Sequence, residues 1–254
     1  MTVTQKVRCL VEQIVDHGGQ VYTIDLFPER KVPRFRPGQF LHLALDEYDP
    51  SSFWPESRAF SIASSPFNRE HLRISYSVKG CFTARMEREL EVNRWVWIKL
   101  PYGEFVLDNT KDVALYAGGT GITAFTAFLA GLTSDFPHRI YLFYGARERS
   151  FLIYRSLVIQ KVQTIPNLHA SFFVEQNVVD DGIANRSTEN GGREDSLYSD
   201  LTGKLSVAAT WSQIQNPYET YFYLSGPPQM IKVISKDLAA QGVSTSAIKI
   251  DAWE

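Results

Sequence analysis

The feature that most restricts the fold is a change of rhythm near Asp108. Up to that point the apolar segments are short, aromatic or β-branched, and separated by turns. Residues 7–15, 21–27, 40–45, 57–64, 72–78 and 95–100 each read as a strand. Leu72, Ile74, Tyr76 and Val78 alternate with Arg73, Ser75, Ser77 and Lys79, the period-two pattern of a half-buried strand. Pro33, Pro37, Gly38, Pro50, Pro55, Pro66 and Gly103 mark the joints, and one helical stretch at 82–90 interrupts the series. This pattern predicts an antiparallel, six-stranded β-barrel over residues 1–108.

Beyond Asp108 strands alternate with helices. Strands are expected at 113–117, 140–144, 169–174, 221–225 and 247–253, and helices at 122–132 and 229–240. In the first of these helices Ile122, Phe125, Leu129 and Leu132 share one face, with Phe128 beside them. Such alternation predicts a second domain, residues 109–254, built as an α/β parallel sheet covered on both faces. Residues 177–216 are polar, show almost no periodicity, and are expected to form an irregular surface excursion. No internal repeat is visible.

Composition removes several classes of function. A net charge of −2 supplies no basic field for nucleic acid. No apolar run approaches the ~20 residues of a transmembrane span, and the first residues lack the pattern of a signal peptide. Cys9 and Cys81 are too few for a four-thiolate cluster or a disulfide framework. The expected setting is therefore cytoplasmic and reducing. His17, His42, His71, His138 and His169 are scattered without metal-ligand spacing, and no G-x-S-x-G elbow occurs.

Two turns carry the chemistry of the second half. The apolar strand ending at Ala117 runs into Gly118-Gly119-Thr120-Gly121, and a helix is expected to start at once. Glycines there let the backbone approach a phosphate, and helix amides add partial positive charge. A tight strand-to-helix turn would need the same glycines for geometry alone, so this motif by itself leaves both readings open. Ser225 ends another strand, and Gly226-Pro227-Pro228 leads into another helix. Two such turns on one parallel sheet converge at its carboxyl edge, which favours a nucleotide site.

In the first half, Arg58 and Phe60 alternate with Ala59 and Ser61, so that a guanidinium and an aromatic ring share a face. The pair suits a diphosphate and a flat ring, although a surface Arg beside a core Phe has the same pattern. Gly80-Cys81-Phe82-Thr83 closes one strand and opens the helix, a second cradle of backbone amides in which Thr83 caps the helix or reaches a phosphate. Cys81 is expected to be a small buried residue.

Together and in this order, these residues resemble the ferredoxin–NADP reductase superfamily of flavoproteins. Arg58–Ser61 is similar to its R-x-[YF]-S motif, and Gly80–Thr83 to its G-x-x-[ST] pyrophosphate motif. Leu100-Pro101-Tyr102-Gly103-Glu104-Phe105 resembles G-P-x-G-x-F with leucine for the first glycine. Gly118–Ala124 resembles G-G-T-G-I-T-P with alanine for proline, Gly145-Ala146-Arg147 a G-x-R turn, and Ser225–Met230 the C-G-P-x-x-M signature.

The resemblance implies FAD on the barrel, held by Arg58, Phe60, Ser61, Tyr76, Val78, Gly80, Cys81, Phe82 and Thr83. It implies a nicotinamide coenzyme at Gly118, Gly119, Thr120, Gly121, Ile122, Arg147, Glu175, Gly226, Pro227 and Met230. Hydride would pass from the coenzyme to flavin N5 beside Ser61, with Ser225 at the position of the usual cysteine. Near the C-terminus, Trp253 would cover the flavin and Asp251 relay protons; packing at the sheet edge explains Trp253 equally well. Glu175 after its strand points to NAD rather than NADP, because a carboxylate repels a 2′-phosphate.

The expected activity is an NAD(P)H-dependent flavoprotein oxidoreductase that feeds a redox partner protein or a small-molecule electron acceptor. An electron-transfer subunit of a larger oxidoreductase is one alternative. A non-catalytic nucleotide-binding module is the other.

Overall fold

Alternating burial bends the first hundred residues into a barrel. In β1 (Gln5–Asp16) Val7, Cys9 and Val11 are fully buried while Lys6 and Arg8 lie outward. A bulge between Val11 and Gln13 shifts the register against β2 (Val21–Pro28) and ends the alternation. Then come β3 (Phe40–Ala44), β4 (Ser57–Ser61), β5 (Leu72–Ser77), α1 (Cys81–Glu89) and β6 (Trp95–Tyr102). All pairings are antiparallel, in the order β4-β3-β6-β1-β2-β5. Just beyond β4, the Ile62 amide donates to Gln39 O (3.0 Å) and the Ala63 amide to Arg73 O (2.8 Å). Chain segments from the two edge strands are thereby tied together, which nearly closes the barrel. The strand expected over 57–64 ends at Ser61 for this reason, since the chain leaves β3 to reach β5.

The computed structural model describes residues 3–108, 110–175 and 198–251. Its second half contains β7 (Val113–Gly118), α2 (Thr123–Gly131), β8 (Ile140–Ala146), α3 (Arg155–Thr164) and β9 (Leu168–Val174). After the undescribed stretch come β10 (Tyr198–Thr202), α4 (Val207–Thr210), β11 (Tyr221–Ser225), α5 (Pro228–Ala240) and β12 (Ile248–Ile250). The strands are parallel throughout, in the order β10-β9-β8-β7-β11-β12. Leu115, Ala117, Leu142 and Phe172 face one core with Phe125 of α2; Ala114, Tyr116, Phe143 and Phe222 face another with Ile234 and Leu238 of α5. A sheet buried on both sides explains the near-continuous apolar run of β7.

Four expectations need correction. Residues 198–216, expected to be irregular, hold β10 and α4; the rest of the excursion lies outside the described residues. As an edge strand, β10 has no fully buried side chain among its five residues, so its sequence lacks an apolar period. Helix α3 was not expected at all, because only Val158 and Val162 are buried on it. Before α2, residues Gly119–Ile122 form a 3₁₀ turn rather than its first helical turn. The final strand, expected over 247–253, starts at Ile248 and ends at Ile250, with Asp251 already outside it; residues 252–253 lie outside the described residues.

The halves are joined by specific contacts. Tyr154, buried ahead of α3, shares a hydrogen bond with Ser75 of β5 (2.8 Å). The connecting segment docks through Phe105 against Phe125 and Tyr223, and the Asp108 amide donates to Tyr223 Oη (2.7 Å).

Candidate functional site

The order of strands creates the first part of the site. After β7 the chain adds β8, β9 and β10 on one side, then returns to place β11 and β12 on the other. Such a reversal opens a crevice at the carboxyl ends of the two strands that flank it. Here these are β7 and β11, with Ala117 opposite Ser225. Both expected glycine turns meet at this point. A Cβ on Gly121 would lie 2.6 Å from Gly226 Cα, and one on Gly226 would lie 2.9 Å from Gly118 N. A Cβ on Gly118 would strike Pro227 and Met230. Gly119, at φ +53°, has open space where a Cβ would be and takes the left-handed backbone that glycine allows. The glycines thus serve two ends: Gly118, Gly121 and Gly226 let the turns pack together, and Gly119 leaves room above them.

Ser225 is buried, and its hydroxyl donates to Asp251 Oδ2 at 2.8 Å. Asp251 is buried as well, held by its amide bond to Leu224 O (2.9 Å). Two of the residues expected at the reaction centre, Ser225 and Asp251, therefore form a direct pair across the ends of β11 and β12. With its proton committed to Asp251, Ser225 Oγ presents lone pairs to anything that enters the crevice. Trp253 lies outside the described residues.

The second part is the barrel seam between β4 and β5. Arg58 is exposed and its guanidinium lies 5.4 Å from the ring centre of Phe82, the second residue of α1. Its ion pair with Glu56 (3.4 Å) is exposed on both sides and so is weak. Phe60 is largely buried, its ring meeting that of Tyr76 edge-on at 6.1 Å. Burial pushes the Tyr76 phenol up, so it stays neutral. The R-x-F-S and G-x-x-T segments, separate in sequence, are thus brought to one place.

At the start of α1 a Cβ on Gly80 would meet nothing within 4 Å. The amides of Cys81, Phe82 and Thr83 lack intrahelical partners, as at any helix start. Thr83 makes the local capping bonds: its Oγ1 accepts from the amides of Lys79 (2.9 Å) and Gly80 (3.1 Å) and donates to Gly80 O (3.1 Å). Cys81 is exposed rather than buried, since the covered side of α1 is the one bearing Phe82 and Met86.

One residue of this region had no sequence signal. Ser64 Oγ is buried without a hydrogen-bond partner among the described residues. Its neighbour Ala63 belongs to the same buried core as Ala117 and Ile122. In the same region β5 lies against the 119–122 turn, so the barrel seam and the sheet crevice adjoin. The orphaned Ser64 hydroxyl, the open space at Gly80 and the free amides of α1 fit a dinucleotide with a polar ring.

At the neighbouring strand ends, Arg147 and Glu175 are both exposed, and the Glu175 amide donates to Ala146 O (3.1 Å). They flank the same carboxyl edge but are not joined to each other by an ion pair.

Known proteins share this fold. Residues 115–236 match the family of oxidoreductase NAD-binding domains. The ferredoxin reductase of carbazole 1,9a-dioxygenase superposes with a TM-score of 0.73 at 20% identity, over 99% of this chain and 70% of that one. The FAD/NAD-binding domain of nitric oxide dioxygenase from Vibrio cholerae gives 0.74 at 19% identity, over 96% and 97%. The chain shares the two-domain fold of these FAD/NAD-binding reductases. Within reach of it in sequence is the NAD(P)H-flavin reductase of Vibrio harveyi, 28% identical over 68% of this chain and 74% of that protein. The toluate 1,2-dioxygenase electron transfer component of Pseudomonas putida is 26% identical over 82% of this chain. The chain spans only 56% of that component, so it is similar to part of a longer protein. Among the described residues, no helix is long and apolar enough to cross a membrane.

Proposed function

We propose that this chain is an FAD-containing reductase that takes hydride from NADH and passes electrons to a separate acceptor. Residues 1–108 hold the flavin and residues 109–254 the coenzyme. The observation that carries the reading is the adjacency of the two cradles, β5 of the barrel lying against the glycine turn at the switch point of the sheet. FAD bound there would supply an acceptor for hydride and a donor of single electrons or pairs.

The chain's own residues supply binding and alignment. Arg58, released from its weak pair with Glu56, offsets diphosphate charge together with the first amides of α1. The edge of Phe60 with Tyr76 forms an apolar wall, and Ser61 and Ser64 offer hydroxyl groups beside it. Gly118, Gly119, Thr120 and Gly121 admit the coenzyme to the crevice, where Ser225 and Asp251 hold a proton between them. Glu175 favours a free ribose diol and hence NADH. The acceptor is a redox protein or a small oxidant, in keeping with relatives named as electron transfer components. A cytoplasmic setting accords with Cys9 and Cys81, both free.

The test is the visible spectrum of the purified protein before and after anaerobic addition of NADH or NADPH. A flavin band that bleaches rapidly with NADH is expected. A protein that cannot be reconstituted with FAD, or whose flavin no nicotinamide coenzyme reduces, would overturn the reading.

A further inference from the structure

The carboxyl edge of β8, β9 and β10 carries an ion cluster that the reading above leaves unused. Arg155, the first residue of α3, is held between two rings, 4.9 Å from the centre of Phe172 and 5.5 Å from that of Tyr198. It donates to Asp200 Oδ2 at 2.7 Å. Arg149, three residues beyond β8, reaches the same oxygen at 3.6 Å. The Arg149 side chain is 62% exposed, Asp200 36% and Arg155 21%, so the cluster runs from the sheet out to the surface. Asp200 sits opposite Phe172 on β10, two residues before that strand ends, close to the edge that bears Arg147 and Glu175.

A 2′-phosphate on a nucleotide is recognised by guanidinium groups that are free to donate in pairs. This edge contains such groups, yet Asp200 holds Arg155 by a hydrogen bond and draws exposed Arg149 toward itself by charge alone. Its carboxylate also adds a negative charge that opposes a phosphate, beside that of Glu175. Discrimination of this kind comes from an occupied cation and a repulsive anion rather than from extra contacts to the favoured ligand.

We propose that Asp200 is a specificity-determining residue, which withholds Arg149 and Arg155 from the 2′-phosphate of a nucleotide and so sets the preference for the unphosphorylated coenzyme. The proposal rests on the reading that the adenosine end of the coenzyme lies at this edge. Arg155 is fixed by its rings, whereas exposed Arg149 is the group that Asp200→Asn would release.

The experiment measures binding of 5′-AMP and of 2′,5′-ADP by calorimetry, which needs no hydride transfer. For the flavin-loaded protein Asp200→Asn is expected to tighten 2′,5′-ADP roughly tenfold while leaving 5′-AMP nearly unchanged, the scale of one charge-assisted hydrogen bond. The gain should weaken with added salt and vanish in Asp200→Asn combined with Arg149→Met. Arg149→Met alone, at an exposed position that tolerates change, should leave 2′,5′-ADP binding as it is. In steady state the gain should appear as a lower KM for NADPH at little change in kcat.

Binding of 5′-AMP with no gain for 2′,5′-ADP in Asp200→Asn would overturn the proposal and spare the coenzyme reading. Weaker 2′,5′-ADP binding by Arg149→Met alone would overturn it also, even if Asp200→Asn did not fold. Failure of both nucleotides to bind any of these proteins would remove the coenzyme reading and the proposal with it.

Discussion

Replacing Gly80 by alanine separates ligand contact from protein packing. The residue has φ −157° and ψ −179°, an extended backbone that any side chain adopts, and its added Cβ would meet nothing within 4 Å. As the N-cap of α1, alanine costs about 0.5–1 kcal/mol against glycine. Lower entropy of the unfolded chain returns about 0.4–1 kcal/mol. The net change in apoprotein stability is therefore within about 0.5 kcal/mol, a shift in Tm of roughly 2 °C at most for a chain of this size. A diphosphate cradled by the α1 amides, in contrast, would meet the new methyl directly. Affinity for FAD is expected to fall at least about tenfold, or ~1.4 kcal/mol. Thermal melting of the apoprotein and titration with FAD by flavin fluorescence give the two numbers. An unchanged Kd in a normally melting Gly80→Ala protein would refute the placement of the diphosphate. A large loss of Tm would refute the reasoning about open space.

The other glycine cradle should respond in the opposite way: Gly121→Ala drives a methyl into the Ser225–Gly226 backbone, and its cost of about 1–3 kcal/mol should lower Tm even without ligand. Unchanged melting would show that the two turns do not pack as described. Ser225→Ala removes a donor from buried Asp251, at a cost of roughly 1–3 kcal/mol. Stopped-flow reduction by NADH should slow in this variant, and a wild-type rate would exclude the pair from the reaction. Burial holds His17, His42 and His169 below the ordinary histidine value of about 6.5. The unfolded chain then binds protons that the folded one refuses, so stability should fall as pH drops below about 6.5. Hydrogen bonds from Arg85 to Asp46 and Glu89, and from Thr110 to Asp108, hold these carboxylates below their usual range, and their contribution disappears only below about pH 4. Urea midpoints between pH 7.5 and 5.5 that do not move would contradict the histidine assignment.

Much of this architecture was legible because its signals are local. The alternation of Leu72 to Val78 announces a strand with one wet face, and that strand is β5. The glycines after Ala117 and Ser225 announce two strand-to-helix turns, and the parallel pairing of β7 with β11 brings them together. Helix α3 and strand β10 were not legible. The former buries only Val158 and Val162, and the latter gains its order from backbone pairing with β9, which leaves no mark on polar side chains. Cys81 misled because its burial depended on which side of α1 the barrel covers.

The sequence by itself determined the class of each half and the position of its glycine turns. Period, turn residues and glycine placement act over a few neighbouring positions, where backbone sterics dominate. Tertiary structure alone decided which groups share a charge or a proton. Ser225 finds Asp251, Ser75 finds Tyr154, and Asp200 gathers Arg149 and Arg155 across separate strands and helices. Those partnerships depend on strand order and on the side of the sheet to which each residue turns. A parallel sheet that reverses at β7 sets both by long-range packing, and no spacing along the chain encodes it.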